Sequence, residues 1–427
     1  MPHLRVTAIM HGEGISPAQM RQCPSIDQRP KAMKRKSHLR RSAHSVLLAF
    51  GFTAMTVATS VLAQKPLVIE EQGSFFVGGA KIEGPEKFDS TEEVGVTNNQ
   101  TFWIDQLYAQ YQIPTSARDL PLVLVHGSGQ TGKSWESTPD GREGYQSVFL
   151  RRGYSVFIVD FPRRGRAGLP SFNGRLGQLG ERQTIPDETF RYGNEAAFVS
   201  FRLGLEYGDF FSGTQFPKSG LTQYNKQITP DVEDDPEVIS DALAALLDRI
   251  GPSILVTHSQ SGLFGWLTAA KSSNVKAIIS YEPVTFAFPQ GAVPPATLLS
   301  NGDVVLEPVG VPPADFLKLT TIPIQIVFGD LIPAEPTDIL ALDRRRVSVI
   351  DARKFVDAVN NAGGDAAFLN LPDAGLQGNT HFPFADLNNI EVADLLSKFL
   401  RNKGLDTRYD TRDLSDVNFW KDPQQSR

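Results

Sequence analysis

The stretch SILVTHSQSGLFGWLTAA, residues 253–270, joins an apolar segment to a helical run through a very short turn. SILV has the continuous apolar character of a buried strand, and LFGWLTAA has the small and apolar residues of a packed helix. Ser259 stands in the turn between them. A serine on a sharp strand-to-helix turn is presented at the edge of a sheet, where its hydroxyl can react. The stretch therefore predicts a strand–turn–helix unit with a candidate nucleophile.

The same alternation recurs along much of the 427-residue chain. It predicts a single α/β domain over residues 64–403, with a mostly parallel central sheet flanked by helices on both faces. A hairpin at 67–83 and a strand at 102–113 precede this repeat. The other predicted strands are 121–125, 154–160, 253–258, 275–280, 322–330 and 366–371, and the predicted helices are 237–250, 261–271, 349–362 and 389–402.

Residues 162–236 interrupt this alternation with a segment rich in glycine, proline and aromatic residues. Connections between elements of an α/β unit are usually two to six residues long, so a segment of this length forms a structure of its own. We interpret it as a cap insertion over the functional site, and a peripheral structural insertion is the alternative. Its aromatic content suggests an apolar or aromatic group on the substrate. Residues 404–427 are a polar C-terminal tail.

The amino terminus resembles an export signal. Basic residues in MKRKSHLRR (33–41) precede an apolar run from Val46 to Leu62 and a V-L-A site that ends at Ala63. This order is typical of a secretory signal peptide, so residues 1–63 are interpreted as a leader with translation starting at Met33. The protein is then secreted or periplasmic. A retained, uncleaved signal anchor is the alternative, and no other membrane contact is expected.

Removal of the leader makes the chain more acidic. The leader contains nine of the 42 basic and two of the 48 acidic residues, so the mature chain has a net charge of −13. Such a balance, without a basic patch, argues against nucleic acid as a partner and leaves a small molecule as the expected ligand. The only cysteine, Cys23, is also removed, which excludes a thiol nucleophile and disulfides. Oligomeric state cannot be inferred from these features.

Two serines near the turn could act as the nucleophile. The chain can make this turn only if small residues stand two positions before and two after the nucleophile. For Ser259 those positions hold Thr257 and Ser261, which are small although neither is glycine. For Ser261 the second position would hold Leu263, which is too bulky. We therefore expect Ser259 to be the nucleophile.

A serine hydroxyl needs a base within hydrogen-bond reach. Four of the seven histidines lie in the leader, and His126 and His258 lie in or beside the turns already described. His381, in a loop after the last predicted strand, is therefore the candidate base. Two acids at strand ends, Glu282 and Asp330, could orient it, and position alone does not decide between them.

The segment LVLVHGSGQTGKSWE, residues 122–136, fits two incompatible motifs. Its Gly127-x4-Gly132-Lys133-Ser134 matches the phosphate-binding loop of nucleotide hydrolases, with Asp160 as a possible magnesium ligand. That loop should continue into a helix, which Pro139 and Gly141 would shorten. Lys133 is then predicted to be a solvated loop lysine. The second interpretation is that the turn after His126 supplies a backbone N–H group that stabilises a negatively charged oxygen, the oxyanion, during catalysis.

The chain resembles a group of bacterial and fungal α/β-hydrolase esterases that use a Ser-His-Glu triad. The resemblance spans roughly residues 121–403. It rests on the stretches HGSGQTGKSWESTPDGREGY (126–145), Asp160-x-Pro-x-x-Gly-Arg, THSQSG (257–262), Tyr281-Glu282-Pro283, FGD (328–330) and GNTHF (378–382).

The resemblance implies an α/β-hydrolase fold and hydrolysis of a small-molecule ester. In that family the acid follows the strand after the nucleophile's strand, which corresponds to Glu282 and leaves Asp330 a structural carboxylate. The oxyanion donors are assigned to the backbone N–H groups of Ser128 and Gln260. No metal and no cofactor are expected. A nucleotide hydrolase and a non-catalytic binding protein of the same fold are the alternatives.

Overall fold

The computed structural model describes residues 66–83, 91, 101–169, 171–172, 175–176, 178–179, 183–184 and 189–408. The leader (1–63), its proposed start at Met33 and the tail beyond residue 408 lie outside these ranges. The described residues form a central sheet of eight strands with helices on both faces. In chain order its strands are β1 Ile69–Glu83, β2 Thr101–Pro114, β3 Leu122–Val125, β4 Val156–Asp160, β5 Ser253–His258, β6 Val275–Tyr281, β7 Pro323–Phe328 and β8 Asp365–Asn370.

The strands lie side by side in the order β1-β2-β4-β3-β5-β6-β7-β8. β1 and β2 pair antiparallel with each other, β2 pairs antiparallel with β4, and all later pairs are parallel. The register aligns Val125 with Thr257, His258 with Tyr281, and Tyr281 with Val327. The carboxyl ends of these four strands therefore lie along one edge, and the residues that follow them meet there.

Helices cover both faces of the sheet. They are α1 Lys133–Glu136, α2 Tyr145–Arg151, α3 Asn194–Ser200, α4 Leu221–Gln227, α5 Pro236–Ile250, α6 Ser261–Lys271, α7 Pro313–Leu319, α8 Leu340–Asn361 and α9 Asn389–Asn402. Apolar residues of α5, α6 and α8 form one buried cluster with the sheet, and those of α2 and α9 form a second. Side chains of β3 alternate between the two clusters, as expected for a strand buried on both faces. The predicted α/β architecture is confirmed.

In the described part of the insertion, residues 162–236 contain α3, α4 and three short strand pairs. These are Ser171–Phe172 with Arg175–Leu176, Gln178–Leu179 with Gln183–Thr184, and Gly204–Glu206 with Asp209–Phe210. A further short parallel pair, Ala287–Pro289 with Val309–Val311, lies after β6. The described part of the insertion contains buried aromatic residues, among them Phe198, Phe201, Phe216 and Tyr224.

The hairpin predicted within residues 67–83 is wrong. Residues 69–83 instead form one long strand that pairs with β2 along its length. Gly78 and Gly79 have φ values of +68° and +88°, but the chain continues past them, and pairing resumes with Ala80 opposite Ile104. The glycines bend a paired strand and do not reverse it.

Helix α8 begins nine residues earlier than the predicted start at 349. Its first turns contain charged side chains that are nevertheless buried, because Asp343 pairs with Arg346 and Arg345 donates to the carbonyl of Ser200. Because these residues are charged, the sequence pattern did not predict the first turns of the helix.

Within the described ranges, no helix is both long enough and apolar enough to cross a bilayer.

Candidate active site

Ser259 lies at the turn between β5 and α6, as predicted, with a φ of +54°. A non-glycine residue rarely adopts this left-handed conformation, and the surrounding contacts hold it there. The Ser259 N–H donates to the carbonyl of Tyr281 at 2.8 Å, and that of Gly262 donates to the Ser259 carbonyl at 3.1 Å. A Cβ on Gly262 would lie 2.6 Å from Cβ of Pro283, so only glycine fits there. The turn closes with Thr257 and Ser261 in place of the usual glycines.

Ser261, the alternative nucleophile, is fully buried and its hydroxyl is occupied. Its Oγ accepts from the His258 N–H at 2.9 Å and contacts the carbonyls of Val125 and His258 at 3.1 and 3.0 Å. This hydroxyl therefore stabilises the turn.

His381 meets Glu282 at the carboxyl edge of the sheet. Its Nδ1 lies 2.8 Å from Glu282 Oε2, and both side chains are completely buried. Because an ionised carboxylate can only accept, Nδ1 carries the proton and Nε2 is left with a free lone pair. Nε2 has no hydrogen-bond partner among the described residues. Glu282 has a φ of +51°, and its N–H donates to the carbonyl of Val327 at 2.8 Å.

Asp330, the other candidate acid, has different partners. Its carboxylate accepts from the N–H groups of Gly378 and Leu331, each at 2.7 Å. Its own N–H donates to the carbonyl of Asn379 at 2.8 Å. Asp330 thus fastens the loop that leads to His381, and the structure brings Glu282, not Asp330, against the imidazole.

Arg202 is a site residue that the sequence interpretation missed. It comes from the insertion, is completely buried, and binds both carboxylate oxygens of Glu282 at 2.6 and 2.5 Å. Its Nε also donates to the carbonyl of Asp330 at 2.9 Å. The one available signal was a lone charge in the apolar run AAFVSFRLG (196–204), which suggests a buried ion pair but does not name its partner.

The environment shifts the pKa of both buried partners. Burial raises the pKa of Glu282, but the Arg202 guanidinium and the hydrogen bonds from His381 and Arg202 outweigh it and hold the pKa well below its usual range. Burial lowers the pKa of His381 well below its usual value, and the nearby charge of Arg345 acts in the same direction. The free site therefore contains a carboxylate and a neutral imidazole at neutral pH.

His258 places the nucleophile's turn next to the His381 loop. Its Nε2 lies 2.9 Å from the His381 carbonyl and donates to it, and the two rings are 4.7 Å apart between centroids. Burial lowers the pKa of His258 to about 3, so its ring stays neutral. Phe201 of the insertion also stacks on His381, with ring centroids 5.4 Å apart and an interplanar angle of 4°.

The turn after β3 closely approaches Ser259. A Cβ on Gly127 would lie 3.0 Å from the Ser259 Cβ and 2.9 Å from Nδ1 of His258. The next residue, Ser128, is therefore near the nucleophile, and Gln260 directly follows it. Neither backbone N–H has an acceptor within the described part of the chain, so both are free to bind a ligand oxygen.

The phosphate-loop match does not have the structure that its motif requires. Helix α1 after it is only four residues long. Lys133 is half-buried and donates to the carbonyl and hydroxyl of Ser137 at 3.0 and 2.9 Å, which corrects its prediction as a solvated lysine. Asp160 accepts from Gly132 N–H at 2.6 Å and from Arg166 Nε at 2.7 Å. No cluster of three or more potential metal ligands occurs within the described ranges.

Comparisons with known proteins agree with the α/β fold. The alpha/beta hydrolase family matches residues 122–398. A curated relative, the probable secreted lipase phiG of a fungal species (strain ATCC 74256), is 29% identical over 376 residues, which cover 82% of this chain and 99% of that protein. A solved structure described as a novel bacterial esterase is 33% identical, with a TM-score of 0.65, and the match covers 79% of this chain and 98% of that one.

Proposed function

The chain belongs to the alpha/beta hydrolase family and is a carboxylic ester hydrolase, and we propose that it is exported and acts as a serine esterase. The proposed catalytic residues are Ser259, His381 and Glu282. The observation that carries the proposal is the 2.8 Å contact between Glu282 and Nδ1 of His381, which leaves Nε2 as a base without a partner in the described structure. His258, the residue before Ser259, contacts the His381 carbonyl and ring, so the imidazole lies next to the nucleophile's turn, although Nε2 makes no hydrogen bond to the Ser259 hydroxyl in the described structure. A buried imidazole held in this tautomer next to such a turn is suited to nucleophilic catalysis once the hydroxyl meets Nε2.

In the first step, Oγ of Ser259 attacks the ester carbonyl and Nε2 of His381 takes its proton. The imidazolium that forms is stabilised by Glu282, which stays ionised. The negative charge moves to the former carbonyl oxygen, where the N–H groups of Ser128 and Gln260 can donate to it. Each such donor is worth about 3 kcal/mol of transition-state stabilisation.

Collapse of this intermediate breaks the bond to the alcohol, which leaves with the proton from Nε2. An acyl group then remains on Ser259. In the second step, water gives a proton to Nε2 and attacks the acyl carbonyl, and the acid leaves as the hydroxyl of Ser259 regains the proton. Arg202 keeps the Glu282 carboxylate ionised and oriented throughout.

Titration with a p-nitrophenyl organophosphonate tests the proposal and separates an enzyme from a binding protein of the same fold. We expect one nitrophenolate released per chain and a mass adduct on the peptide that contains Ser259. Ser259→Ala should abolish both signals. Ser261→Ala, which removes the neighbouring buried hydroxyl, should still be labelled if it folds. No burst, or an adduct on another residue, would refute the proposal.

Export is proposed from the leader pattern, and the curated relative carries "secreted" in its name. Expression of the full chain in a Gram-negative host, followed by amino-terminal sequencing of the exported protein, should give a chain that begins at Gln64. A product that keeps residues 34–63 would indicate a retained anchor instead.

The insertion is proposed to cap the site, since Phe201 and Arg202 lie against His381 and Glu282. Its aromatic residues favour an apolar acyl or alcohol group on the substrate. A series of p-nitrophenyl esters of increasing chain length should show kcat/KM rising beyond acetate. Activity confined to short polar esters would contradict this preference.

A further inference from the structure

The two proposed oxyanion donors lie on separate segments of the chain. Ser128 follows β3 and Gln260 follows β5. Catalysis requires both N–H groups to point at one oxygen, with tolerances of about 0.5 Å. The sheet register brings the segments together, but β3 ends at Val125, three residues before Ser128. Contacts from outside the sheet must hold the rest of this turn.

One carboxylate of the insertion holds the first donor. Asp231 Oδ2 accepts from the Ser128 hydroxyl at 2.7 Å and from the Gly129 N–H at 3.1 Å. The Thr229 N–H donates to the Gly129 carbonyl at 3.0 Å. The turn that carries Ser128 is therefore attached to the insertion by side chain and backbone together, and Asp231 itself is completely buried.

A second carboxylate, three residues later, holds the other donor. Asp234 Oδ2 accepts from Nε2 of the Gln260 side chain. Gln260 caps the start of α6, so this contact fixes the peptide that follows Ser259. One short, non-helical segment therefore contacts both halves of the proposed oxyanion hole.

Arg164 joins the two carboxylates. Its guanidinium contacts Asp231 Oδ1 and donates to Asp234 Oδ1 at 2.8 Å, and only 1% of its side chain is exposed. It also donates to the carbonyl of Val232 at 2.6 Å, between the two acids. A planar guanidinium that binds two carboxylates and the backbone between them fixes their separation.

We propose that Asp231 and Asp234, bridged by Arg164, are positioning residues that set the N–H groups of Ser128 and Gln260 for the oxyanion. This deepens the proposed esterase function and rests on it. Both ends of the insertion take part, because Arg164 lies near its start and the two acids near its end. The insertion is then part of the catalytic apparatus as well as its cover.

The test uses Asp231→Asn and Asp234→Asn, which keep the shape and one acceptor oxygen but replace the other, so that neither side chain can accept from Arg164 and from its turn together. With p-nitrophenyl butyrate we expect kcat to fall about 10- to 100-fold and KM to change by less than about threefold, because the loss is in the transition state. The Ki of a trifluoromethyl ketone, whose serine adduct carries the same oxyanion, should rise by the factor lost in kcat/KM.

Asp343→Asn is the matched control. Asp343 is also completely buried, pairs with Arg346, and accepts from the N–H groups of Ser300 and Thr337 at 2.7 and 3.2 Å, but it contacts no proposed catalytic residue. Its substitution should lower thermal stability and leave kcat and the ketone Ki within about twofold. Equal kinetic losses in all three variants would overturn the proposal.

Two further measurements keep the outcome decisive. If Asp231→Asn does not fold, Gln260→Leu replaces it, because this change removes only the side chain that donates to Asp234 and keeps the backbone N–H. Unchanged kcat and ketone Ki in Gln260→Leu would contradict the proposal that Asp234 positions this N–H. Failure of the esterase proposal looks different, since the wild type would then show no activity that depends on Ser259. A fully active wild type with unaffected Asp231 and Asp234 variants would refute the positioning role alone.

Discussion

Glu282 and His381 form a completely buried pair, with the carboxylate oxygen 2.8 Å from Nδ1. The backbone of each residue is held by a contact or conformation of its own. Glu282 adopts a φ of +51° just after β6, and the N–H of His381 donates to the Phe201 carbonyl of the insertion at 3.2 Å. The contact therefore depends on the sheet edge and on the insertion together.

Substitution of the two candidate acids should have unequal effects. Glu282→Gln leaves the shape intact but removes the charge that fixes the imidazole tautomer, so kcat should fall by about 10⁴-fold. Asp330→Asn keeps an acceptor for the Gly378 N–H and should cost less than about tenfold. Steady-state kinetics on a p-nitrophenyl ester, with circular dichroism to verify folding, measures both. A larger loss for Asp330→Asn would move the acid role to that residue.

Removal of Arg202 should impair both stability and activity. Arg202→Met leaves the Glu282 carboxylate buried without its cation, which costs about 3–5 kcal/mol in the free energy of unfolding. Urea titration at pH 7 measures this loss. The carboxylate would then interact more strongly with His381 and raise the imidazole pKa, so the acid limb of kcat/KM should shift to higher pH. Arg202→Lys, which keeps the charge without the planar fork, should shift it less.

The wild-type pH profile should reflect the lowered pKa of His381. The base acts in its neutral form, and burial lowers the pKa below the ordinary value of about 6.5. The neutral form therefore still dominates at pH 6.5, and kcat/KM should remain on its plateau there and fall only at lower pH. An acid limb centred above pH 7 would show that the imidazole is not in this environment.

Gly127→Ala should disturb the oxyanion turn. The added methyl would meet Nδ1 of His258 at 2.9 Å and Cβ of Ser259 at 3.0 Å, both of which belong to the nucleophile's turn. We expect kcat to fall at least about tenfold, because a displacement of 1 Å can cost about 10²-fold. Gly193→Ala is the control, since its Cβ would approach no atom beyond its chain neighbours closer than 3.8 Å, the distance to Oε2 of Glu195. Equal activity in both variants would contradict the close approach.

The nucleotide alternative has a direct test. Isothermal calorimetry with MgATP should show no binding, because Lys133 is engaged by Ser137 and Asp160 by Arg166. Lys133→Ala should keep esterase activity within a few-fold of the wild type. Saturable MgATP binding that disappears in this variant would restore the phosphate-loop interpretation.

The local sequence determined most of the helices and strands and the tight turn that carries Ser259. Periodicity and turn residues located the apolar strands. The small residues Thr257 and Ser261, two positions before and after Ser259, identified the tight turn. Prediction from the local sequence was wrong where long-range pairing overrides the local pattern. Gly78 and Gly79 bend a strand that remains paired with β2. The start of α8 was missed because its charged Asp343 is buried in an ion pair, which the sequence pattern does not show. Elimination among the histidines also led to His381.

Only the tertiary structure decided how the charges pair. Glu282 and Asp330 both follow strands, and what distinguishes them is the partner of each carboxylate in the loop: the His381 ring for Glu282 and the Gly378 N–H for Asp330. Arg202, and the link from Arg164 to Asp231 and Asp234, carried no readable motif, because an ion pair between distant segments leaves no periodic trace in either one. Local sequence sets backbone conformation over a few residues, whereas pairing across the fold depends on the register of the sheet and the path of the insertion.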